Sequence, residues 1–129
     1  MSEPVINNSD LQLEHVRWNK ELKSLREEIN TFQDKLGEIV NLRTDKEFLI
    51  EIAEFENKFI IHKEKINKLQ DQIKVHALSV GRQFEDNMDP EKMNLKSHDT
   101  YREKIETEKR MFEDLRAEFN GFLSTYVKN

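Results

Sequence analysis

Apolar residues recur along this chain at alternating intervals of four and three, in three separate stretches. Leu11, Trp18, Leu22, Leu25, Ile29, Phe32 and Leu36 follow the pattern in the first stretch. Phe48, Ile52, Phe55, Phe59, Ile66, Leu69, Ile73 and Val80 follow it in the second, and Tyr101, Ile105, Phe112, Leu115, Phe119, Phe122 and Tyr126 in the third. A repeat averaging 3.5 residues keeps one stripe of an α-helix turned towards its partners along a left-handed supercoil. The pattern therefore predicts three long helices, over about 9–41, 44–84 and 89–127. At 1.5 Å per residue such helices are roughly 45–60 Å long.

Local signals mark where each helix can begin and end. Ser9 followed by Gln12, and Thr44 followed by Glu47, have the spacing of a capping box, in which two side chains satisfy otherwise unpaired N–H groups of the first turn. Asp89-Pro90 offers an N-cap and a proline at the first helical position, and Ser97 is an alternative start for the third helix. Gly81 can end the second helix, or the helix can run on to Phe84. The short Asn41-Leu42-Arg43 connection forces the first two helices to lie antiparallel, and the second connection returns the chain along the same rod. The expected fold is all-α, an up-down-up antiparallel three-helix bundle with coiled-coil-like helices. Residues 1–8 are expected to be a flexible tail, and 9–129 a single domain. In its seams and helix lengths the pattern resembles spectrin-like three-helix rods, a likeness of architecture only.

Composition agrees with this picture and narrows the function. Of 129 residues, 36% are charged and 36% apolar, with three glycines and two prolines. So few turn residues argue against a sandwich or barrel. No apolar run approaches the roughly 20 residues of a membrane span. There is no cysteine, which removes disulfides, thiolate metal sites and thiol catalysis. A net charge of −5, with lysine and arginine interleaved among acids, argues against capture of nucleic acid or an anionic membrane surface. The first residues carry neither a basic start nor an apolar core, so no secretory signal is expected and a cytoplasmic location is the default.

The gaps in the three stripes hold the chemistry. His15 fills the slot between Leu11 and Trp18, His62 the one between Phe59 and Ile66, and His76 the one between Ile73 and Val80. Extending the third stripe back from Tyr101 by three residues reaches His98, and its interior gap is Glu108. Seam positions are two in seven, so all four histidines falling there by chance is on the order of 1 in 150. His15, His76 and His98 lie towards the same pole of an up-down-up bundle, one per helix. With the first turn centred near 42–44, His15 is expected opposite Gln70 to Ile73, roughly one helical turn further from the pole than His76, a gap that helix stagger can close or widen. Three imidazoles with an open position suit zinc, and imidazole also suits copper, nickel and iron. Glu14, Asp99 and Glu103 are candidates for a fourth ligand or for acceptors that fix the ring tautomers. His62, level with Leu25 and Phe112, is expected to form a buried polar pair with Glu108.

Catalytic and phosphate-binding patterns are absent from the sequence. No histidine has a glutamate three residues before it, no two histidines are four apart, and no serine has a Gly-x-Ser-x-Gly context. The expectation is a non-enzymatic helical module that binds a protein partner or a second copy of itself, with no nucleic acid and no membrane. The alternative is a metal-binding bundle using His15, His76 and His98. A further idea is a pH-responsive assembly acting through the seam histidines. Leu49, Ile60, Ile61, Val75 and Leu78 flank the second stripe and are expected to be mostly core, with any that stay exposed free to pair the rod with a copy of itself or a partner helix. Val16, Met111 and Leu123 make weaker suggestions of the same kind. Trp18 is expected to be a core anchor.

Overall fold

The computed structural model describes residues 8–87 and 96–127. Three helices run in chain order: α1 (Asn8–Ile39), α2 (Lys46–Glu85) and α3 (Lys96–Tyr126). They form the expected all-α bundle, in which α1 packs most extensively on α2, and α3 lies more against α2 than against α1. No helix among the described residues is long and apolar enough to cross a membrane.

The predicted stripes are the core. Every seam residue of α2 is buried, from Phe48 through Ile52, Phe55 and Phe59 to Val80, with His62 and His76 included. Trp18, Leu22, Ile29 and Leu36 of α1 and Ile105, Phe112, Leu115, Phe119 and Phe122 of α3 are buried with them. The core is uneven along its length. Near the first turn it is built largely of aromatic rings. Phe119 meets Phe59 edge-on at 5.2 Å and Phe55 at 5.2 Å, while Phe48 stacks on Phe122 at 5.6 Å. Such contacts add about 0.5–1.5 kcal/mol each beyond area burial. The Arg43 guanidinium covers this end, 4.9 Å from the Tyr126 ring centre. Towards the other pole, imidazole and carboxylate groups enter the seam.

The helix ends differ in detail from the sequence signals. α1 begins at Asn8, one residue before Ser9 and inside the stretch expected to be tail. α2 is capped by Asp45 and not by Thr44. Asp45 has extended backbone angles (φ −68°, ψ 140°), its side chain makes no cap hydrogen bond, and its carboxylate accepts from Arg43 Nε at 2.8 Å. That guanidinium also holds the Asp45 carboxyl below its ordinary pKa. Gly81 lies within α2, which continues to Glu85. The chain then turns at Asn87, whose N–H donates to the Phe84 carbonyl at 3.0 Å and whose φ of 55° takes the backbone out of the helix. α3 is described from Lys96, one residue before Ser97. Asp89 and Pro90 lie outside the described residues, as do residues 1–7.

The outer face of α2 departs from expectation. Leu49, Ile60, Ile61, Val75 and Leu78 are all exposed, as are Val16 and Met111. Two narrow neighbours can cover only about the seam positions of a helix, so residues one or two places off the stripe stay in solvent. Leu123 is partly buried against the core.

Candidate metal centre

The 3.5-residue repeat turns His15, His76 and His98 inwards, and packing of the three helices brings their rings together. All three are buried, with 4%, 8% and 2% of their surface exposed. His15 Nε2 lies 3.1 Å from His98 Nδ1, and His76 Nε2 lies 3.1 Å from the same atom. One ligand nitrogen from each ring lies within 4.8 Å of those of the other two. Helix stagger therefore removes the one-turn offset expected of His15, and the ring centres of His15 and His76 are 5.0 Å apart. The stagger is fixed in part by Gln12, whose amide Nε2 donates to the Ala77 carbonyl at 3.2 Å.

The partners on the outer ring nitrogens point to where the protons lie. Because the Gln12 amide donates through Nε2, its Oε1 is the group facing His15 Nδ1 at 3.1 Å. An oxygen acceptor there requires Nδ1–H on His15, which leaves an Nε2 lone pair pointing inwards. On His98, Nε2 lies 2.5 Å from Glu14 Oε1. Arg102 donates to both oxygens of that carboxylate, at 2.9 and 2.8 Å. These guanidinium bonds, aided by His98 and opposed by partial burial, hold the Glu14 carboxyl down to about 2. An ionised Glu14 requires Nε2–H on His98 and turns its Nδ1 lone pair inwards. His76 has a looser outer partner, the Ser97 hydroxyl 3.5 Å from Nδ1, which can accept from that nitrogen or donate to it.

Two rings are thus fixed with lone pairs facing each other across 3.1 Å, and the third can supply at most one proton while neutral. That proton can bridge His76 to His98, which leaves His15 Nε2 and His98 Nδ1 opposed. A further proton on His15 or His76 is disfavoured: burial, followed by the charge His98 and His76 would carry, pushes His15 down to about 4, and burial with His98 lowers His76. A cation relieves the conflict. Metal–nitrogen bonds of 2.0–2.1 Å in tetrahedral geometry put ligand nitrogens about 3.3–3.4 Å apart, and the two 3.1 Å separations are within a few tenths of an ångström of that value.

No protein-family model, curated protein or solved structure matches this chain. Any functional reading rests on the site itself.

Each of the three carboxylates considered as a fourth ligand has another place. Glu14 sits on the outer nitrogen of His98, the position of an orienting acceptor. Asp99 accepts from Arg102 at 2.8 Å, and Glu103 lines a surface groove between α2 and α3. Trp18 is a core residue as expected, and it also roofs the cluster, its ring centre 4.7 Å from that of His98 and 5.3 Å from that of His15. Tyr101 packs at 5.1 Å on His76. A groove of about 750 Å³ between α1 and α2, lined by Gln12, Val16, Asn19 and Ala77 among others, reaches His15 from outside.

Sequence reasoning overlooked Gln12 and Arg102 as orienting groups. Their signal was available: Gln12 is three residues before His15 and Arg102 four after His98, so each shares a helix face with its histidine. The fourth histidine is elsewhere in the rod. His62 Nδ1 lies 2.5 Å from Glu108 Oε1, both residues buried, as the stripe positions suggested.

Proposed function

We propose that this protein is a transition-metal-binding helical bundle, with His15 Nε2, His76 Nε2 and His98 Nδ1 as ligands and zinc the ion best suited to the set. The reading is carried by one observation: His15 Nε2 and His76 Nε2 each lie 3.1 Å from His98 Nδ1 in a buried cluster, while Gln12 and Glu14 occupy the outer nitrogens of His15 and His98. An all-nitrogen set suits zinc, copper, nickel and iron better than calcium or magnesium, which prefer oxygen. Glu14 and Gln12 act as the outer acceptors common around metal-bound histidine, fixing tautomer and ring orientation. Equilibrium dialysis of untagged protein against zinc, followed by elemental analysis, tests this. One ion per chain is expected, falling below a tenth of that in the His76→Ala/His98→Ala double variant. Zinc uptake absent from the parent, or unchanged in the variant, would contradict it.

The reading of the bundle as a self-associating module keeps one supporting observation, the exposed apolar side chains on the outer face of α2, including Leu49, Ile60, Val75 and Leu78. Light scattering tests it: a dimer or larger species supports it, and a monomer at high concentration removes it.

A further inference from the structure

The seam of α3 changes character halfway along. Its first four positions are His98, Tyr101, Ile105 and Glu108, of which Ile105 is the single aliphatic side chain. From Phe112 onwards the positions are Phe112, Leu115, Phe119, Phe122 and Tyr126. The second half is held to the bundle chiefly by hydrophobic burial, which needs no partner of particular protonation, with Arg116 paired to Glu28 and Lys58 to Glu118 outside the seam. The first half is bonded mainly by polar contacts: His98 to the other two imidazoles and Glu14, Arg102 to Glu14, and Glu108 to His62. Buried polar contacts hold two elements together only when all of them are satisfied, and the three inward nitrogens satisfy one another only in part. A groove of about 500 Å³ separates α2 from α3 beside this same half, between Lys65, Lys68 and Gln72 on one wall and Thr100, Lys104 and Thr107 on the other. Another groove runs between α2 and α3 beside the aromatic half, lined by Phe55, Lys58, Phe122 and Tyr126 among others, so what sets the first half apart is its polar seam.

We infer that the metal works as a latch, its binding to the histidine cluster docking the N-terminal half of α3 and its loss releasing that half while the aromatic half stays folded. The inference rests on the metal-binding reading and adds to it a regulated element. Bonds from one ion to all three helices replace the unsatisfied contacts at that pole, so the free energy of binding is spent on closing α3 against α1 and α2. Local opening of this kind is expected where buried apolar contacts are few. Opening would uncover Trp18, whose ring packs at a tilt against His98, and so gives the latch an optical signature.

Hydrogen–deuterium exchange of the full chain, chelator-treated and then with one equivalent of zinc, tests the latch, with bound zinc counted by native mass spectrometry in the same samples. Without metal, amides of residues 100–110 are expected to exchange at least tenfold faster than those of 112–126. Zinc should slow the first group at least tenfold and leave the second within twofold. His15→Ala, which removes a ligand without altering α3, should keep residues 100–110 fast in the presence of zinc. One zinc bound with no change in residues 100–110 overturns the latch and leaves the metal site standing. No zinc bound removes both. Slowing that persists in His15→Ala also overturns the latch, since closure would then not require the three-helix link.

Discussion

Replacing Glu14 with glutamine isolates the outer shell of the histidine cluster. The carboxylate receives three bonds, one from His98 Nε2 at 2.5 Å and two from Arg102. Glutamine keeps one oxygen but turns an NH₂ group towards a donor, so at least one bond is lost and an N–H is set against another. Its carboxyl falls from 4.5 to about 2 on folding, which would be worth roughly 3 kcal/mol if fully realised. Arg102 is 46% exposed, so solvent screening reduces the figure, and we expect about 1–2 kcal/mol from urea unfolding of the metal-free protein at pH 7. The sign is fixed by the lowered pKa: this stability is present above about pH 4.5 and is lost as pH falls towards 2. Zinc affinity, read by competition with a chromophoric chelator, should fall about 10–100-fold, because His98 is no longer held in the tautomer that presents Nδ1. Asp99→Asn serves as the control, as Asp99 bonds Arg102 through Nη1 while Glu14 is held by Nε and Nη2. Affinity within twofold of the parent in a folded Glu14→Gln protein would refute the tautomer argument.

Further outcomes follow from the same structure. His15 and His76 have lowered pKa values when folded, His15 at about 4, so the unfolded chain takes up protons first. The urea midpoint of metal-free protein should therefore rise from pH 4 to about 6.5 and level off above, and a flat profile would contradict the burial of neutral rings. Phe119→Ala removes a fully buried ring from the aromatic end and should cost about 3–5 kcal/mol. Val75→Ala on the exposed face should stay within about 0.5 kcal/mol, both measured by chemical denaturation. Glu108→Leu strips the partner from buried His62 and should cost roughly 3 kcal/mol, with most of it recovered in His62→Leu/Glu108→Leu. A single variant as stable as the parent would mean that the pair is not desolvated.

Much of this architecture is legible in the sequence because a helix has a fixed angular period. Knowing that Phe59 and Ile66 face inwards fixes the direction of His62 between them, and the same interpolation places His76 and Glu108. Axial position is harder to read, since it depends on how helices slide past one another. His15 is read one turn too far from the pole because the sequence does not reveal that Gln12 pins α1 opposite Ala77. Helix ends were misjudged by one to two residues, as at Asp45, which is the N-cap of α2 by backbone while its carboxylate pairs with Arg43. The wider apolar face expected of a central helix puts most of the outer residues of α2 in the core and leaves some exposed, whereas a three-helix geometry has no fourth neighbour to cover Val75 or Leu78. The proton arrangement of the cluster was legible only in part. Glu14 was visible as a nearby acid, but its pairing with Arg102 and its choice of the outer nitrogen of His98 are properties of the packed bundle.

X-ray absorption at the zinc edge of the loaded protein tests the central claim most directly, because it reads the donor atoms themselves. We predict three imidazole nitrogens at about 2.0–2.1 Å with one further light ligand, in four-coordinate geometry. A shell dominated by oxygen, or fewer than three imidazoles around the ion, would contradict the assignment of His15, His76 and His98.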